Sequence, residues 1–259
     1  MCWSGEASLT LAAAGMATTA YVAWKKESPL LYLPLGYFSL MELLQGYTYT
    51  VIDQCGLPSN QIATLLGYLH IAFQPFFANM IALYFIPEDV RKRVQVWAYS
   101  IAGFSAVYML IQLFPFDWTG ACRLGRPLCG TELCSVSGNW HIAWLIPVND
   151  IGESNIWPLT NGFWTYMLSV FWIPMIYGSW RLNLFHYTFG PFLASLTTNN
   201  PNEVPAVWCL LSIAILMVVV KSPLRKHMHV KSYPLWPLLM MGKKRGSPPP
   251  PDAEPEPAE

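Results

Sequence analysis

Few side chains in this 259-residue chain combine ionisable chemistry with an apolar setting. Glu42 is the one acid inside the long apolar runs, and His70 and His186 are the only histidines there. Ionisable groups in such surroundings are costly, and each is by default a candidate for function. Counted from the ends of their runs, Glu42 and His70 each lie nine residues, about 13 Å of helix, below a common face. Gln45 stands one turn above Glu42, and Gln74 one turn below His70, on the same helix faces. A Glu–His pair flanked by amides can bind a divalent metal, relay a proton or orient a polar substrate group. The plainer alternative is a hydrogen-bonded pair that fixes helix packing, because neither a His-Glu-x-x-His nor a His-x-x-x-His spacing supports it.

The remaining polar candidates are weaker. His186 sits about three residues into its run, at the end opposite His70's common face, and cannot share a metal with His70 unless its helix breaks at Gly190-Pro191. A solvated interfacial histidine is the simpler reading. His141 lies in a short apolar segment that can fold over the Glu42–His70 region, with Asn149, Asp150 and Glu153 close behind it in sequence. The run Asn199-Asn200-Pro201-Asn202-Glu203 has an ordinary turn composition. His227 and His229 belong to a basic stretch. No lysine occurs in an apolar run, which excludes a retinal Schiff base, and a bis-histidine haem lacks a second well-placed ligand. No P-loop, Gly-x-Ser-x-Gly or dinucleotide fingerprint is present.

The elements that must position these residues follow from composition. The chain is 54% hydrophobic and only 12% charged, about half the charged fraction of soluble domains. Its net charge is zero, so no basic field is available for nucleic acid. Seven apolar runs, at about 7–24, 29–51, 61–86, 94–114, 162–180, 183–198 and 204–220, are each close to the ~20 residues that a membrane helix needs. The first has no preceding Lys or Arg and is followed by Lys25 and Lys26, the reverse of a signal peptide, so we read it as a retained span. Seven spans with an outside N-terminus put thirteen of the fifteen Lys and Arg residues on the cytoplasmic side, leaving Arg123 and Arg126 outside. The expected fold is therefore all-α and polytopic: a seven-span domain over 1–221, in the cell membrane with a cytoplasmic C-terminus. Residues 222–245 form a basic juxtamembrane segment, and 246–259 a disordered Pro- and Glu-rich tail able to take a protein partner.

Residues 115–161 form a long, Cys-rich outer loop. Within it, 140–148 is too short to span, since nine residues rise only about 14 Å as helix against a core of about 30 Å. It is expected to be an interfacial or re-entrant helix that caps the outer face. Cys2, Cys55, Cys122, Cys129 and Cys134 all fall on the oxidising outer side, and Cys209 lies inside the last run. A bridge from Cys55 into the 122–134 segment plus one bridge within it is the natural hypothesis, although spacing alone does not choose the pairs. A zinc knuckle fits less well, because the thiols lack Cys-x-x-Cys spacing.

The opening Met-Cys-Trp-Ser-Gly and the stretch Tyr68-Leu69-His70-Ile71-Ala72-Phe73-Gln74-Pro75-Phe76-Phe77 resemble an uncharacterised heptahelical family of membrane proteins, a domain of unknown function. So do Asp53-Gln54-Cys55-Gly56, Trp140-His141-Ile142-Ala143-Trp144 and Asn200-Pro201-Asn202-Glu203. The resemblance implies an integral membrane protein and lends no catalytic residues. The functional expectation is a bilayer-embedded protein with an outward-facing site for a small polar ligand or a divalent metal. Glu42 and His70 would be its core, with Gln45, Gln74 and His141 around them. A small-molecule or ion transporter and a sensor or assembly protein acting through the tail are the rivals.

Overall fold

The computed structural model describes residues 3–151 and 163–240. Cys2, Glu153 and the acidic proline tail lie outside the described residues. Helix starts follow local sequence chemistry. In α1 (Gly5–Trp24) the Ser4 hydroxyl accepts from the Ala7 N–H, and in α2 (Pro29–Thr48) Ser28 caps Leu30, with Pro29 in the first turn. Helix α3 (Pro58–Tyr84) likewise opens on a proline, and α4 (Glu88–Ile111) on an acidic turn, both favoured at a helix N-terminus. These two begin earlier than the apolar runs 61–86 and 94–114 because the capping prolines start the helix ahead of the first apolar turn.

Two later helices are interrupted. Helix α5 (Trp164–Ile176) contains a π-turn at Leu168–Trp172 and ends before Gly178, whose φ is +97°. Helix α6 covers 180–197 and is built from Trp180–Tyr187, a π-turn at Thr188–Phe192, and Leu193–Thr197. Pro191 explains the second interruption, because it has no N–H to donate and its ring crowds the carbonyl one turn back. Helix α7 (Val204–Lys221) closes the bundle by packing on α1, α2 and α6.

Each of the seven apolar runs falls on one of these helical segments. Among the described residues, three helices, Pro58–Tyr84, Glu88–Ile111 and Val204–Lys221, are long and apolar enough to cross a membrane. Helices α1 and α2 reach the length but are diluted by Ser, Thr, Gly and Tyr. The burial pattern places apolar groups both inside and out. One core cluster of Leu31, Leu35, Phe85, Val94, Tyr177 and Val219 is followed by a second of Met41, Tyr68, Met109, Trp144 and Ile146. Around them, large apolar side chains such as Leu33, Leu40, Leu66, Val107, Leu184 and Leu196 are exposed along the helix faces.

The loop after α4 departs from expectation. Segment 140–148 is not a helix: Ile142–Leu145 is a strand, β2, paired antiparallel with β1 (Cys134–Ser137) in the register Cys134↔Leu145 to Ser137↔Ile142. A nine-residue helix would leave most of its backbone groups unpaired, whereas the hairpin pairs them with a partner strand. A short apolar run rich in aromatic and branched residues does not distinguish the two forms by periodicity. The hairpin packs on α3 through β1 and on α7 through β2.

At the opposite end, the 222–240 stretch packs on the helix termini in two short helices, α8 (Leu224–Met228) and α9 (Trp236–Leu239). Arg225 donates to both Glu27 oxygens, at 3.1 and 2.7 Å, and to the Tyr84 hydroxyl. That guanidinium holds the Glu27 carboxyl below the usual carboxylate range.

Candidate functional site

The cap is fixed to the bundle from three directions. Disulfides Cys55–Cys134 and Cys122–Cys129 fulfil the pattern of one bridge from Cys55 and one within the loop. Along β1, Asn60 of α3 accepts from Ser135 N at 2.9 Å and donates to Ser135 O at 2.9 Å. Asp53, held in the left-handed region at φ 63°, accepts from the Ser137 N–H and hydroxyl at 2.7 and 2.5 Å. The free edge of β1 is thus covered by polar groups of Asn60 and Asp53, as an exposed edge requires.

The third direction is the turn before α7. The Asn202 side chain accepts from Cys129 N and donates to Cys129 O, and its carbonyl accepts from Trp144 N. The buried Glu203 carboxylate accepts from the backbone N–H groups of Asn139, Trp140 and His141 and from the Thr198 hydroxyl. Gly138 makes this clasp possible, because a Cβ there would lie 2.6 Å from the Glu203 carboxyl carbon and 2.6 Å from the His141 carbonyl.

Beneath the cap lies a buried polar cluster. Glu42, Gln45 and Tyr49 stand at i, i+3 and i+7 on α2 and therefore share a face. Glu42 and Gln45 are 0% and 1% exposed, and neither the carboxylate oxygens nor the amide atoms have a hydrogen-bond partner. The Tyr49 hydroxyl bonds His141 Nδ1 at 2.6 Å, while His141 Nε2 is buried without a partner. Burial pushes the His141 imidazole down to about 3, so it is neutral near pH 7. On the α1 side, Trp3 Nε1 donates to Ser8 Oγ at 2.8 Å, which leaves the Ser8 hydrogen available to the Glu42 carboxyl beside it. The Trp3 ring stacks on Trp140 and tilts against His141, joining the N-terminus to the cap. A surface depression of about 480 Å³, lined by Trp3, Glu6, Leu9, Gly46 and Tyr49 among others, borders this cluster at Tyr49.

The other expected residues are distributed differently. The His70 ring stacks on Tyr37 at 3.9 Å, and the opposite face of Tyr37 meets Phe77 at 3.7 Å. Tyr37 also donates to the His70 carbonyl at 2.7 Å. Tyr37 and Glu42 project roughly 140° apart around α2, so His70 addresses a different face of that helix from Glu42. Gln74 donates to Cys209 Sγ at 3.2 Å and accepts from the Tyr166 hydroxyl at 2.6 Å. His186 is not a solvated histidine, since its Nε2 accepts from Trp208 Nε1 at 3.1 Å and its ring packs on Phe171. Among the described residues, no group of three or more His, Cys, Asp or Glu side chains is arranged to hold a metal ion.

The structure thus gathers Glu42, Gln45 and His141, and seats His70 and Gln74 in separate contacts. Sequence reasoning missed Tyr49; it met Trp3 only in the family resemblance, and Asn202 and Glu203 there and as an ordinary turn. The helical spacing 42-45-49 carried the first of these. Nothing local marked the role of Glu203, whose backbone N–H partners lie 62 to 64 residues away along the chain. No curated protein and no solved structure matches this chain. A family model described as a family of unknown function, DUF5765, matches residues 6–229, and the chain belongs to that family.

Proposed function

We propose that the chain is a seven-span protein of the cell membrane, N-terminus outside and C-terminus cytoplasmic. In this reading it holds a small polar ligand in an outward-facing site made by Glu42, Gln45, Tyr49 and His141. The exposed apolar helix faces and the one-sided distribution of basic residues support the membrane reading. One observation carries the site: both Gln45 polar atoms and His141 Nε2 are buried without a hydrogen-bond partner, and the buried Glu42 carboxyl has only the Ser8 hydroxyl beside it. Each such group costs about 1–3 kcal/mol, and together they rival the entire net stability of a typical domain. A cluster of that cost persists when something bonds to it in the working protein. With a carboxylate at its centre, the site favours a ligand rich in N–H or O–H donors.

Thermal unfolding of the purified protein in nanodiscs, with methylammonium, ethanolamine, glycerol and glucose as probes, tests the site. At least one probe should raise the midpoint by several degrees in the wild type and fail to do so in Glu42→Gln. A wild type indifferent to every probe would overturn the site. Reporter fusions after residues 93 and 240 should both read cytoplasmic, and a fusion after 121 external; any other pattern overturns the topology.

A further inference from the structure

A second cavity, of about 180 Å³, lies between α3, α4, α5 and α7 under Leu128 of the outer loop. Its wall is overwhelmingly apolar, with Met109, Trp208 and Pro191 among its lining, and its polar edge is the Tyr166–Gln74–Cys209 chain. All three members of that chain are at least nine-tenths buried. Their hydrogen bonding is incomplete by inventory. The Gln74 amide nitrogen carries two hydrogens and one goes to Cys209, while Gln74 Oε1 and the Tyr166 oxygen each keep accepting capacity. One N–H donor and nearby acceptors remain, which matches the dual donor and acceptor character of a hydroxyl.

Size and access narrow the occupant. An engineered apolar cavity of about 150 Å³ binds benzene, so this one accommodates a ring with a small substituent. Phe163, Met167 and Pro191 at its edge are half-exposed, which puts its mouth between α5 and the π-turn of α6. Pro191 causes that turn, and Gly190 beside it lets the Trp208 indole approach, since a Cβ at 190 would meet Trp208 Nε1 at 2.7 Å. The mouth therefore lies on an apolar flank of the bundle, separate from the depression at Tyr49.

We propose that this cavity is a binding site for a ring-sized apolar molecule bearing one hydroxyl, held by Gln74 and Tyr166. Its lining shares no residue with the polar-ligand site at Glu42. Cys209, a free and buried thiol in the wall, reports occupancy.

The test follows alkylation of Cys209 by N-ethylmaleimide in the full-length protein in nanodiscs, read by peptide mass mapping, with 4-methylphenol or toluene added. An introduced exposed cysteine, Leu124→Cys, monitors the reagent itself. 4-Methylphenol should slow Cys209 alkylation at least five-fold without slowing the exposed cysteine. Toluene should need about ten times the concentration for equal protection, which corresponds to about 1.4 kcal/mol. Gln74→Leu should erase that difference, and Glu42→Gln should leave protection intact, so this site and the Glu42 site stand or fall separately. Absence of protection by either compound overturns the site. Equal protection by both in the wild type overturns the recognition of the hydroxyl.

Discussion

Replacing Glu203 by glutamine keeps the side chain's shape while halving its capacity to accept. In the native clasp one oxygen takes the Trp140 and His141 N–H groups, and the other takes the Asn139 N–H and the Thr198 hydroxyl. The best orientation of the amide keeps its oxygen on Trp140 and His141 and turns its NH2 to Thr198, whose hydroxyl can reverse to accept. Asn139 N–H then faces an N–H group and loses its bond, at about 1–3 kcal/mol. The surviving bonds change from charge-assisted to neutral, at about 1 kcal/mol each. A total of about 3–5 kcal/mol falls on the hairpin, with both disulfides intact. Hydrogen exchange of peptides covering 134–148 reads this directly, and 4 kcal/mol corresponds to exchange faster by two to three orders of magnitude. Thermal unfolding should also fall by several degrees. Exchange within three-fold of wild type, with an unchanged midpoint, would refute the claim that this carboxylate holds the cap.

Gly138→Ala should loosen the same hairpin, because the added methyl displaces the Glu203 carboxyl; exchange over 134–148 should rise while distant helices stay protected. Removing the Cys55–Cys134 bridge, which spans 79 residues, should cost about 4 kcal/mol by loop entropy, measurable as a lower unfolding midpoint in the Cys55→Ser, Cys134→Ser double variant. Acid should weaken the protein through His141. Below its ordinary value of 6.5 the unfolded chain takes up a proton that the folded chain does not accept until about pH 3. Stability is therefore full above pH 6.5 and declines as pH falls, by about 2 kcal/mol at pH 5 from this group. Unfolding midpoints measured from pH 7 to 4 should show that slope, and His141→Gln should flatten it.

The helical plan was legible because hydrophobic runs are local signals; the exact starts were not read. Ser4, Ser28, Pro29 and Pro58 mark helix starts wherever the helices later pack. The disulfide pattern was half legible, since the side of the membrane expected for each thiol restricted the choices but only folding brought Cys134 to Cys55. The hairpin was illegible, because Ile142–Leu145 becomes a strand only when Cys134–Ser137 lies beside it.

The same division applies to the chemistry. The sequence by itself determined which groups are out of place in an apolar setting, because a residue's ionisable character and the run around it are both local. It singled out Glu42 and His70 and estimated that they share a depth. The tertiary structure alone decided their company. Depth along a helix follows from residue count, but direction around it is realised only against neighbours. That rotation sends His70 to Tyr37 and leaves Glu42 with Gln45, Tyr49 and the His141 that Glu203 holds above them.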